Sequence, residues 1–118
     1  MSNERKNVME FLRQQSAQLP LMEGKEKGDI KQILDTPLTV TDYGFLNNEA
    51  GEPYAVFTTA EFPHFFFFGG TVPTDRFLLM DQSGYREDIL GGNLKVVLSE
   101  KRARKSGKIY VDMTPAED

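Results

Sequence analysis

Five basic side chains, Lys101, Arg102, Arg104, Lys105 and Lys108, fall within eight residues that contain no acid. Clustered ammonium and guanidinium groups suit one chemistry above others. They neutralise phosphates, release counterions and give an affinity that falls with salt. The formal net charge of the chain is −4. Outside this segment nine basic residues face eighteen acidic ones, a net of −9. The segment is therefore a local basic patch on an acidic body. Bulk acidity argues against a nucleic-acid partner, but this distribution confines any such contact to one place. The competing reading is a solvated hairpin turn kept polar for solubility.

Aromatic residues are the second feature. The chain has nine Phe and four Tyr and no Trp. Tyr54, Phe57 and the run HFFFF at 64–68 concentrate six of the rings in two short stretches. Exposed rings stack on nucleobases at roughly 1–3 kcal/mol per base. Filling the protein core is the competing role for every Phe. In HFFFF, alternation puts Phe65 and Phe67 on one face and His64, Phe66 and Phe68 on the other. One set is core, and alternation alone does not choose which. Tyr tolerates a wet surface because its hydroxyl is hydrated. Tyr43, Tyr54 and Tyr110 are therefore the preferred stacking candidates, and Tyr110 leads because Ile109 and Val111 set its phase outward. Phe57, His64, Phe66, Phe68 and the five bases complete the candidate nucleic-acid-binding set.

Other chemistry has little to rest on. His64 is the single histidine and there is no Cys, so neither a thiolate zinc site nor a disulfide framework is expected. Gly69, Gly70 and Thr71 open a helical stretch but lack the GK[ST] of a phosphate loop. No GxSxG, HExxH or paired-carboxylate pattern occurs. We expect no catalytic residue, no metal and no cofactor, and no enzyme.

These residues need elements to hold them. Val8, Phe11, Leu12 and Leu19 recur at helical spacing, which predicts a helix over 4–18. A polar linker follows, MEGKEKG at 22–28. Asp29 is placed to cap a short turn through Leu34. Strands are expected at 38–46, 53–59 and 64–68, with Gly44 marking a bulge or bend in the first. Thr71 or Thr74 caps a helix to about Met80, and a further turn runs from Tyr85 to Leu90. Two more strands are expected at 94–100 and 108–114, with Ile109, Val111 and Met113 inward and Lys108, Tyr110 and Asp112 outward. The basic run is the loop between them.

Three strands, a helical insert and two strands is the order of the five-stranded OB-fold barrel, so the fold expected is mainly β of that type. The domain spans 29–114, preceded by the helix and linker of 1–28 and followed by a short acidic tail, 115–118. No apolar stretch is long enough to span a bilayer as a helix, and the polar N-terminus has no apolar signal core. A cytoplasmic protein with no membrane partner is expected.

The stretches LTVTDYGF, EPYAVFTT, FFFFGGTVPTDRFLLM and IYVDMTP, with the basic segment, resemble the small single-stranded DNA-binding proteins of phages that infect Gram-positive bacteria. The resemblance covers about 29–114. It implies an OB-fold that binds single-stranded DNA without strong sequence preference during phage replication or recombination, in the host cytoplasm. It also implies that 54–57, 64–68 and 101–108 line the DNA face. The short tail TPAED departs from the apolar-tipped tails of bacterial single-strand binders. The expected surface for self-association, or for replication and recombination proteins, is therefore the N-terminal helix. A protein-interaction adaptor or small structural protein on the same scaffold is the alternative function.

Overall fold

The computed structural model describes residues 19–116. The helix expected over 4–18, and with it the proposed self-association surface, lies outside them. Six strands make one open mixed sheet, ordered β1-β4-β3-β2-β5-β6. They are β1 (Glu26–Lys27), β2 (Leu38–Asn47), β3 (Pro53–Thr59), β4 (Phe65–Phe68), β5 (Lys95–Arg102) and β6 (Ile109–Pro115). Helices α1 (Thr71–Gln82) and α2 (Arg86–Leu90) lie between β4 and β5. No described helix is long and apolar enough to cross a membrane.

The strands follow the order expected, with one addition and one difference. The addition is β1, inside what reads as a polar linker. It pairs parallel to β4 through backbone bonds, Glu26 N–H to the His64 carbonyl at 3.0 Å and Gly28 N–H to the Phe66 carbonyl at 2.8 Å. The difference is closure. β1 occupies the outer edge of β4, β6 ends the sheet on the other side, and the hydrogen bonds do not run round a ring.

β2 is the organising strand. Its start pairs with β5 at Leu38↔Val96 and Thr39↔Lys95, and the rest pairs with β3. The register slips between Val40 and Asp42, a bulge that leaves Thr41 as the extra residue. The bulge reverses the inward phase. Leu38 and Val40 are buried before it, and Tyr43 is buried after it. Gly44, expected to mark the bulge, does something else: a Cβ there would lie 2.8 Å from Leu19 Cδ1. It lets the chain cross the outer face of β2 just before a 3-10 turn at Pro20–Met22.

The core lies between the inner face of the sheet and the two helices. Tyr43, Phe57, Phe67 and Phe77 are fully buried or nearly so. Their rings form a chain, with centroids 5.3 Å apart for Tyr43 and Phe77, 5.6 Å for Phe57 and Phe77, and 5.7 Å for Phe57 and Phe67. Ile33, Leu38, Val40, Val96, Leu98 and Met113 enclose them. Asp29 caps the turn Ile30–Gln32, accepting from the Lys31 N–H at 3.0 Å. The N-cap of α1 is Gly70, not a threonine. Thr74 sits within the helix, where its hydroxyl accepts from the Ala55 N–H at 2.9 Å and donates to the Gly69 carbonyl. That pair of bonds seats α1 on β3.

Candidate nucleic-acid interface

The ribbon β5–β6 carries the basic run at its tip. Its strands pair from Val96↔Pro115 out to Arg102↔Ile109, yet only Lys95 and Val96 also pair with β2. The core therefore supports the base of the ribbon and not its end. Val96, Leu98 and Met113 are buried, whereas Ile109 is 58% exposed and Tyr110 38% exposed. Ile109 was expected inward. It does lie on the core-facing side with Val111 and Met113, but past Val111 there is no core left to meet.

Asp112, expected outward, is also corrected: it is buried. Its carboxylate accepts from the Lys101 ammonium at 2.7 Å and the Arg76 guanidinium of α1 at 3.1 Å. It accepts from the Met113 N–H as well, at 2.9 Å. The bond from Lys101 is the main cause holding the Asp112 carboxyl below its ordinary value, with burial opposing. The same bond raises the Lys101 ammonium above its own. Lys101, though exposed, is thus paired with a carboxylate of its own ribbon. Arg102 donates to the Gly107 carbonyl at 3.0 Å. Arg104, Lys105 and Lys108 are exposed and form no ion pair among the described residues.

The aromatic candidates divide between the two faces of the sheet. Phe65 and Phe67 face the core, and Phe66 and Phe68 the outside. Phe57 and Tyr43 are wholly buried core residues. Neither ring can receive a base, so both leave the candidate set. The Tyr43 hydroxyl donates to Asp81 at 2.5 Å, and the Arg86 guanidinium lies 4.8 Å from the ring centroid. Burial, then the bond to Asp81, raises the Tyr43 hydroxyl above its ordinary value. This cluster ties the helical insert to β2.

On the outer face Tyr54 and Phe68 are half-buried, with centroids 5.4 Å apart, edge to face. Phe66 adjoins Phe68 but is only 8% exposed. The Lys27 ammonium lies 5.0 Å from the Phe68 centroid. Lys27, Gly28, Asp29, Ile30 and Phe68 line an open cleft of about 530 Å³. His64 is exposed in the turn before β4. Sequence reasoning missed Lys27, because nothing in a polar linker signals a strand that sets a cation over a ring. It also missed Arg76, because nothing in a helix reports its partner on β6.

The candidates therefore form two groups. Arg102, Arg104, Lys105, Lys108 and Tyr110 gather at the ribbon tip. Tyr54, Phe68 and Lys27 gather on β3, β4 and β1, with β2 and β3 separating β4 from β5 in the sheet. No family model, curated protein or solved structure matches the chain.

Proposed function

We propose that the protein binds single-stranded DNA without strong sequence preference and protects it during phage DNA replication or recombination. The observation that carries the reading is the ribbon tip: an exposed tyrosine beside Arg102, Arg104, Lys105 and Lys108, four exposed cations with no ion pair among the described residues, on an otherwise acidic body. The cations hold phosphates and Tyr110 stacks on a base. Tyr54 and Phe68, with Lys27, offer a second stacking place.

The architecture is in keeping with it. We read β2 to β6 as a partly open OB-type barrel, in which a long bent first strand pairs with both the second and the fourth. In that fold the loop between the last two strands borders the ligand face, and here it is the basic loop. The adaptor reading has one observation in its favour. Leu79, Tyr85 and Leu90 of the helical insert are 63%, 55% and 43% exposed, an apolar surface suited to a protein partner.

Fluorescence polarisation with labelled oligo-dT at low salt separates the two. Tyr110→Ala is expected to weaken binding about ten- to a hundredfold, the loss of one stacked base, with the melting temperature unchanged. Absence of binding by the parent protein, or full binding by the variant, rejects the reading.

A further inference from the structure

The free edge of β6 has an unusual pattern of open and closed groups. Ala103 N–H bonds to the Lys108 carbonyl at 2.9 Å, and Ala116 N–H to the Lys95 carbonyl at 2.9 Å. By the alternation of an antiparallel ladder, Lys108, Tyr110, Asp112 and Thr114 turn their backbone groups toward β5. Ile109, Val111, Met113 and Pro115 turn theirs to the outer edge. At the base that edge is closed: the Met113 N–H is taken by the Asp112 carboxylate and Pro115 has no N–H. Toward the tip it is open. Among the described residues the N–H groups of Ile109 and Val111 have no acceptor. The open stretch also carries the two exposed apolar side chains of the ribbon, Ile109 and Tyr110.

We propose that this stretch pairs with the same stretch of a second copy, antiparallel about a two-fold axis at Tyr110. Unpaired strand edges are templates for such addition, and a two-fold interface must be complementary to itself. This one is. Ile109 of one copy faces Val111 of the other, and each such pair exchanges two backbone bonds, twice over by symmetry. In the same register Lys108 faces Asp112 of the other copy, whose carboxylate stays with its own Lys101 and Arg76, so the backbone bonds carry the contact. The match also ends itself. The next pair would be Gly107 with Met113, but Gly107 N–H already bonds to the Ala103 carbonyl and Met113 N–H to Asp112. The contact is confined to residues 108–112. It is thus a short, reversible contact rather than an open-ended aggregate. The pairing does not depend on what the tip binds.

The chain has no cysteine, so an engineered pair reports without ambiguity. The two Tyr110 residues would form a pair whose backbone groups point away from each other, with Cα atoms about 4.5 Å apart, within the reach of a disulfide. Tyr110→Cys, mildly oxidised without nucleic acid, is expected to give a disulfide-linked dimer, and Lys105→Cys, outside the overlap, is not. Sedimentation velocity supplies an independent reading. The unsubstituted chain is expected to shift toward dimer as concentration rises. Ile109→Pro, which removes an edge donor at a position where an edge strand tolerates proline, is expected to stay monomeric with an unchanged melting temperature. A Tyr110→Cys chain that remains monomeric, equal cross-linking by Lys105→Cys, or Ile109→Pro sedimenting like the parent would overturn the proposal. Capture of a different protein's strand at this edge would appear as the first of these results.

Discussion

Asp112 ties the ribbon to the helical insert. Buried at the middle of β6, it joins Lys101 across the ribbon to Arg76 on α1 and closes the Met113 N–H against outside pairing. Its carboxyl titrates below the ordinary value in the folded protein. A carboxyl so depressed stabilises the fold above its unfolded value, about 3.9. That contribution is lost as pH falls through the folded value. Asp112→Asn is therefore expected to be less stable than the parent at neutral pH, with the gap narrowing below about pH 4. Chemical denaturation across pH tests this, and a gap independent of pH would show that the charge is not what matters. The same residue explains why a count of five bases overstates the tip. Lys101 is paired with Asp112, and the cations at the tip with no ion pair among the described residues are Arg102, Arg104, Lys105 and Lys108.

At the scale of elements, β3 was legible to the residue because PYAVFTT is a short run of strand-favouring residues bounded by turn residues. The Thr41 bulge was not, since it changes register without leaving a mark in composition, and its consequence is Tyr43 in the core rather than at the surface. The side of β4 that faces inward was equally unreadable, because both sides are Phe. The strand β1 was invisible for a different reason: its two residues are polar and exposed, and its pairing with β4 is made by backbone bonds that leave no pattern in the sequence. What admits β1 is the absence of a side chain at Gly28, where a Cβ would lie 2.3 Å from Phe67 Cε1. Gly28→Ala is expected to destabilise the protein by about 1–3 kcal/mol, the cost of overpacking. It should also speed hydrogen exchange at the Glu26 and Gly28 amides. Parent-like stability and exchange would mean that Phe67 yields easily and that β1 is not locked by this contact.

At the scale of the molecule, charge and shape point the same way. A net charge of −4 conceals an acidic body and a basic tip, and the sheet projects that tip past the last core residues. Such a charge distribution repels a polyanion over most of the surface and attracts it at one end. The strand order and the position of the basic loop were readable from sequence, because hydrophobic alternation and an acid-free run are local signals. The open edge and the projecting tip were not, because they follow from where the core stops. The most direct test is the salt dependence of oligo-dT binding by the parent and by the triple variant Arg104→Glu, Lys105→Glu, Lys108→Glu. If these three side chains hold phosphates, log K falls linearly with log salt for the parent, and the slope of the variant is shallower by about 2. An unchanged slope, or binding by the parent that ignores salt, would contradict the account.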